Sequence, residues 1–306
     1  MSSTVQEAVA ALRAGQLVLL PTETVYGLAA DAANPAAVAR LFEAKGRPAF
    51  NPLIAHVSGV EMARRVARLP PQGVALAERF WPGPLTLVAP AVPGATCDLS
   101  RAGLDSVAFR APAHPLAQAV IEAFGGPLAA PSANRSGRPS PTTFADAMAE
   151  TGAAAAAALD GGACAVGIES TVLSLLGERP ALLRPGAVTR DEIEAITGPL
   201  AAAPHDVHRS PGRLSRHYAP RAPVRLEAGA PRPGEAFLAF GGTPAGERVF
   251  NLSPAGDLVE AAANLYAMLR TADATEPTAI AVAPIPQTGL GEAINDRLRR
   301  AAGFVG

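Results

Sequence analysis

Leu17-Val18-Leu19-Leu20-Pro21-Thr22-Glu23-Thr24-Val25-Tyr26-Gly27-Leu28 carries the chain from a short apolar run into a polar turn, and its reading decides the fold. Four consecutive aliphatic residues stopped by a proline read as a buried strand. Asn34-Pro35 follows, a capping residue with proline at the first helical position. Val38, Leu41 and Phe42 then share one helical face, and Gly46 ends the helix. Residues 53–57 read as the next strand. Strand, helix, strand is the signature of an α/β layer, with parallel pairing where helices cross over.

The alternation continues outward from this segment. Thr4 with Glu7 is a capping box opening a helix to about residue 14. Helices are predicted over 59–68, 72–80, 115–124 and 142–150. Strands are predicted over 85–89, 107–110, 128–130, 168–176 and 181–184. Thr189 with Glu192 is a second capping box, and Gly198 closes that helix. The alanine run 153–158 is low complexity and carries no chemistry. From 199 to 223 prolines recur and periodicity disappears, as in a linker. His205, His208, Arg209, Arg213, Arg216, His217 and Tyr218 nevertheless crowd it. Beyond it come predicted strands at 236–240, 248–252 and 279–283 and helices at 258–269 and 290–301. The expected organisation is therefore a main domain over 1–200, a linker over 201–223 and a smaller α/β domain over 224–306.

Composition narrows the function. With 306 residues, 49% hydrophobic and 17% charged, each of two domains has enough apolar material for a core. A net charge of −1 argues against a broad footprint for nucleic acid or an anionic membrane, so no stable direct binding to either is expected. Cys97 and Cys164 lie far apart with no C-x-x-C, which argues against structural zinc and fits a reducing cytosol. The N-terminus lacks an apolar signal core, and no apolar run approaches the roughly 20 residues of a membrane span. A cytoplasmic protein is expected.

Lys45 is the only lysine among the 26 basic residues, and a compact ammonium suits phosphate where a guanidinium would be a fixed fork. The plain alternative is a cation closing the helix dipole. A phosphate loop of the G-x-x-x-x-G-K-[ST] type, a G-x-S-x-G elbow, an H-E-x-x-H zinc helix and a G-x-G-x-x-G fingerprint are all missing from the sequence. What remains is a set of cations and small hydroxyl residues at strand ends. Lys45, Arg47, Arg110 and Arg184 supply charge; Thr24, Ser132 and Ser170 supply hydroxyls; His56 closes a strand. Each has a structural alternative: Thr22-Glu23-Thr24 as turn residues, Arg110 as a snorkelling or paired cation, 131–137 as an ordinary loop, His56 as a core histidine. Together they suit a small anionic substrate plus a nucleoside triphosphate.

These segments, with Trp81-Pro82-Gly83-Pro84-Leu85-Thr86, Gly167-Ile168-Glu169-Ser170-Thr171 and Leu183-Arg184-Pro185-Gly186, resemble the YrdC-like domain of threonylcarbamoyl-AMP synthases. Ser210-Pro211-Gly212 and His217-Tyr218-Ala219-Pro220 resemble the linker of the two-domain members, and 251–258 their C-terminal extension. Arg213-Leu214-Ser215 departs from the usual linker pattern. The resemblance implies a twisted, open, mixed sheet with helices, plus a smaller Rossmann-like domain. It implies condensation of L-threonine, bicarbonate and ATP to threonylcarbamoyl-AMP with pyrophosphate release. The product would pass to a tRNA threonylcarbamoyl-transferase complex. By motif, Thr24, His56, Arg110, Ala130 and Ser170 would hold threonine. Lys45, Arg47, Asn51, Ser106, Ser132, Ser140, Arg184 and Tyr218 would meet ATP. Lys45 and Arg47 would act as catalytic clamps, with Mg²⁺ carried on the nucleotide and no metal held by the protein. No side chain stands out as a general base. Two other classes compete: an RNA-binding module on a basic concave sheet, and a carbamoyl-adenylate-forming domain of hydrogenase maturation. The near-neutral charge counts against the first and the missing zinc-finger cysteines against the second.

Overall fold

Alternating side chains along β1 (Leu17–Leu20) sort into two cores. Val18 and Leu20 join one cluster, Leu17 and Leu19 another, because successive strand residues face opposite sides of a sheet. The computed structural model describes residues 2–202, 217–242 and 244–304. Through β1 it builds a nine-stranded mixed sheet in the order β7-β1-β2-β6-β3-β5-β4-β8-β9. The strands are β2 (Gly27–Asp31), β3 (Ile54–His56), β4 (Leu85–Pro90), β5 (Ser106–Arg110), β6 (Leu128–Ala129), β7 (Ala155–Ala158), β8 (Thr171–Ser174) and β9 (Ala181–Arg184).

Sequence reading misses two of these strands. β2 reads Gly-Leu-Ala-Ala-Asp, poor in β-branched residues. β7 is the low-complexity alanine run, whose intrinsic preference is helical. Both become strands because β1 needs partners for its main-chain groups: β2 pairs with it antiparallel and β7 parallel.

Helices α1 (Val5–Arg13), α3 (Val60–Val66), α4 (Pro71–Phe80) and α5 (Pro115–Phe124) cover one face, where Leu12, Leu76, Phe109 and Ile121 are buried. The Thr4 capping box forms as expected. On the other face α2 (Pro35–Lys45) packs through Val38, Leu41 and Phe42. Asn34 accepts from the amides of Ala36 and Ala37, and Gly46, at φ 59°, ends the helix in the left-handed region. α6 (Phe144–Thr151) and α7 (Arg190–Thr197) complete this part, the latter opened by the second capping box, at Thr189.

The smaller domain is a four-stranded parallel sheet, in the order β10 (Val224–Arg225), β13 (Ile280–Val282), β11 (Ala236–Ala239), β12 (Val249–Asn251). α8 (Leu258–Ala274) and α9 (Leu290–Ala301) pack on it. α8 runs five residues past the expected 269, because Ala272 and Asp273 are still buried there. The Asp273 carboxylate accepts from the amides of Arg221 and Ala222, tying the helix to the incoming chain. This core does not stop at its own sheet: Val25, Ile168 and Tyr218 belong to the same cluster as Leu265, Tyr266 and Leu298. Of the linker expectations, those on 203–216 lie outside the described residues; His217 and Tyr218 are described and buried. Among the described residues no helix is long and apolar enough to cross a membrane.

Candidate active site

Register brings the polar strand ends into one row across the large sheet. β3 and β5 are parallel with His56 opposite Arg110; β4 and β8 are parallel with Leu85 opposite Thr171; β9 returns antiparallel with Arg184 opposite Val172. His56, Arg110, Ser170 and Arg184 therefore converge, although they lie far apart in sequence. The turn after β1 and the Ala130–Ser132 segment after β6 close around them. The result is a cleft lined by Thr24, Arg47, His56, Arg110, Ala130, Ser132, Ser170, Arg184 and Tyr218, among others. Nine of the thirteen sequence-predicted site residues thus meet in one place.

Arg110 is the pivot of one half. Its Nη1 is ion-paired with Glu23, its Nη2 lies 3.1 Å from His56 Nε2, and its Nε has no partner among the described residues. The second Glu23 oxygen accepts from the Ala113 amide at 3.0 Å. His56 Nδ1 faces the Ile54 carbonyl at 3.2 Å, so Nδ1 carries the proton and Nε2 accepts from Arg110. Burial first, and then the Arg110 charge, push the His56 pKa down to about 3. The ring is neutral at any ordinary pH. Proton accounting also settles the threonine pair. Thr22 Oγ1 donates to the Val25 carbonyl at 2.6 Å, so Thr24 must donate across the 2.9 Å Thr22–Thr24 contact. The lone pairs of Thr24 are left to accept.

Arg47 and Arg184 supply the other half. Arg47 donates from Nε to the Asn51 carbonyl and from Nη2 to the Pro52 carbonyl. Burial lowers its pKa to about 10, opposed by Tyr218, so it stays charged at neutral pH. Arg184 grips the Ser170 carbonyl through Nε and Nη2 and reaches the Ser170 hydroxyl at 3.2 Å. That hydroxyl lies 2.7 Å from Thr86 Oγ1. Gly186 allows this approach: a Cβ there would meet the Thr171 nitrogen at 2.3 Å and the Ser170 carbonyl carbon at 2.6 Å. Tyr218 forms a wall, at φ 61° and fully buried, with its ring against His217 and Tyr266.

Four predicted residues stand outside the cleft. Lys45 is buried, and its ammonium donates to the carbonyls of Ser132 and Asn134. It braces the loop that carries Ser132 rather than lining the cavity; Arg47, two residues on, lines it instead. Burial, and then the Arg47 charge, hold its pKa well below the usual lysine value. Asn51 is buried beside Pro52, and its Nδ2 has no partner among the described residues. Ser140 donates to Glu169. Ser106 begins β5, on the same face as Arg110 but about 13 Å along the strand.

Sequence reading left Glu23 open between a strand-end ligand position and a turn residue, and assigned no role to Glu169 or His217. Glu23 proves to be the counter-ion of Arg110, a pairing that only the sheet register creates. Glu169 was legible in one respect: a carboxylate interrupting an apolar strand needs partners. Those partners come from the distant C-terminal domain, through Arg297 and Tyr266.

A cleft that gathers three guanidiniums, two neutral histidines and several hydroxyls suits an α/β enzyme whose substrates carry anionic groups. Comparison with known proteins makes this specific. Residues 10–186 match the Sua5/YciO/YrdC profile, described as Telomere recombination, and residues 188–303 match the profile of the threonylcarbamoyl-AMP synthase C-terminal domain. The threonylcarbamoyl-AMP synthase of Bacillus subtilis is 40% identical, over 98% of this chain and 93% of its own length. That of Pyrococcus abyssi is 41% identical, over 96% and 92%. The crystal structure of P. abyssi Sua5 complexed with L-threonine superimposes with a TM-score of 0.92 at 39% identity, covering 98% of this chain and 94% of that one. E. coli YciO, at 19% identity and a TM-score of 0.51, shares the fold over 60% of the chain. The chain belongs to the threonylcarbamoyl-AMP synthase family, whose members are nucleotidyltransferase-type enzymes.

Proposed function

We propose that the cleft binds L-threonine at its Arg110 end and ATP toward Arg47 and Arg184, and joins them with bicarbonate into threonylcarbamoyl-AMP. The observation that carries this reading is the Arg110–His56 arrangement. Arg110 Nε has no partner among the described residues, and Ser170 and Thr24 stand nearby on the cleft wall. A substrate carboxylate satisfies that buried donor, and a substrate ammonium or hydroxyl finds the lone pairs of Thr24. Glu23 already holds Nη1, so the substrate contact on Arg110 is narrower than that of a free two-pronged fork.

On this reading the threonine amine, after losing a proton, adds to bicarbonate with loss of water and leaves an N-carboxylate. One oxygen of that carboxylate attacks the α-phosphorus of ATP, the bond to the β-phosphate oxygen breaks, and pyrophosphate departs. Charge builds on phosphoryl oxygens, where fixed cations outperform reorganising water. Arg47 and Arg184 take that role directly, Lys45 by holding the Ser132 loop and Tyr218 by walling the nucleotide. Magnesium would enter with the nucleotide, since Glu23 and Glu169 are each engaged by an arginine. The enzyme would work in the cytoplasm and pass its labile product to a tRNA-modifying partner.

The test is pyrophosphate release from ATP by the purified chain. Release that requires both threonine and bicarbonate is expected; release at the same rate without threonine would overturn the reading.

A further inference from the structure

The Glu169 carboxylate is held from both domains at once. Ser140 donates to one oxygen from the large domain. From the small domain, Tyr266 on α8 donates to the other oxygen at 2.7 Å and Arg297 on α9 donates from Nε at 2.8 Å. Arg297 is 1% exposed, and every nitrogen of its guanidinium is engaged. Nη1 meets Asp296 at 2.6 Å; Nη2 reaches the carbonyls of Glu169 at 3.3 Å and Pro185 at 3.0 Å. Its face lies over the Tyr218 ring, 5.4 Å from the centroid.

Those contacts fall on the substrate cleft itself, at Glu169 and Tyr218, or one residue from it, at Pro185. Glu169 precedes Ser170, Pro185 follows Arg184, and Tyr218 is itself a cleft wall. A second strap lies beside the first: Arg270 on α8 donates to the Pro139 carbonyl and pairs with Glu150 at 3.0 Å, steadying the segment that leads to Ser140. Contacts that served only to glue two domains would have no reason to converge on the main chain of one cleft. The Arg190–Glu292 pair, at 2.8 Å between α7 and α9, is such a contact.

We propose that the C-terminal domain is a working part of the active site. Arg297 and Tyr266 are positioning residues that fix Glu169 and, through its main chain and that of Pro185, set Ser170, Arg184 and Tyr218 against the substrates. A guanidinium suits this task because its planar fork ties three segments into one rigid arrangement, which a lysine would not do. Glu169 stays ionised in this setting. Burial pushes its pKa up, but Arg297, Arg184 and the Ser140 and Arg297 hydrogen bonds hold it below the usual carboxylate value. The inference rests on the proposed reaction for its kinetic consequence but not for its structural one.

The experiment uses the full chain and compares Tyr266→Phe, Arg297→Lys, Glu169→Gln, the double variant Arg297→Lys/Glu169→Gln, and Arg190→Ala as an interface control. All are assayed well below their measured Tm. Tyr266→Phe removes one hydroxyl and folds even if Arg297→Lys does not. Threonine- and bicarbonate-dependent pyrophosphate release should fall in kcat/KM by roughly 10- to 100-fold in Tyr266→Phe and Arg297→Lys. Arg190→Ala should stay within about twofold. Arg297→Lys should add less than about twofold on top of Glu169→Gln, since both act through one group. Amide hydrogen exchange should speed up at 168–174, 184–186 and 217–219 and stay unchanged in β1 and β2. Normal kinetics in Tyr266→Phe and Arg297→Lys, or multiplicative effects in the double variant, would overturn the inference. If the unaltered chain shows no such turnover, the proposed reaction fails; the exchange pattern then decides the positioning role alone, and unchanged exchange in those three segments overturns it.

Discussion

Lys45 has three N–H groups and gives two to the carbonyls of Ser132 and Asn134. Lys45→Ala leaves both carbonyls without that donor, at about 1–3 kcal/mol for each buried group. The variant should therefore lose a few kcal/mol in urea unfolding as well as roughly 10²-fold in turnover, the scale for losing support of one transition-state donor. Turnover lost with stability intact would favour direct phosphate contact over bracing. Arg110→Lys tests the neighbouring site. A compact ammonium lacks the planar spread by which the guanidinium reaches Glu23, His56 and a substrate carboxylate, so apparent threonine affinity should fall at least about tenfold in calorimetric titration, with ATP affinity much less affected. The chemistry of each side chain was legible in the chain. Which partner it faces was not: Lys45 meets residues nearly ninety positions away, and Glu23 meets Arg110 across the sheet.

Elements separate local demand from tertiary demand, and two glycines show the difference. Gly46 sits at φ 59° with open space around it, so Gly46→Ala costs only backbone strain, about 1 kcal/mol, and should leave activity near normal. Gly186 has an ordinary φ, yet its absent Cβ makes room for the main chain at Ser170 and Thr171. Gly186→Ala must push β8 and β9 apart. It should cost on the order of 1–3 kcal/mol and lower kcat/KM far more than Gly46→Ala does, both read from unfolding curves and pyrophosphate release. The helix caps, including Gly46, were readable because capping is a contest among neighbours in sequence. The two unexpected strands β2 and β7 were not readable, since what holds them extended is pairing with other strands, β1 for both and β6 for β2 as well. Arg297 left a faint mark of its own. It stands on the buried stripe of α9 with Ile294, Leu298 and Ala301, where an apolar residue is the norm.

Across the whole molecule, burial of charge sets the pH behaviour. His56 and His217 are both buried, and desolvation first, with cationic neighbours, brings each pKa to about 3. The unfolded chain protonates these rings below about pH 6.5, whereas the folded chain does so only near pH 3. The unfolded state thus binds more protons in that window, and stability falls as pH drops from 6.5 toward 3. At pH 5 the loss is on the order of 2 kcal/mol for each ring. Unfolding free energies at pH 7.5 and 5 should show it, and His217→Gln should flatten the slope by about half; a flat wild-type profile would contradict the neutral-ring assignment.

By itself the sequence determined what neighbours in the chain decide: the α/β alternation, both capping boxes, the stop at Gly46 and the stock of cations and hydroxyls at strand ends. Their joint order was enough to identify the family. Only the tertiary structure decided which strand ends meet, that Arg110 arrives already paired with Glu23, that Lys45 turns to the main chain while Arg47 faces the cleft, and that a helix from the far domain holds Glu169. The reason is physical. Propensity and capping act over a few residues, whereas strand register and the burial of charge are settled by partners that can lie more than a hundred residues away.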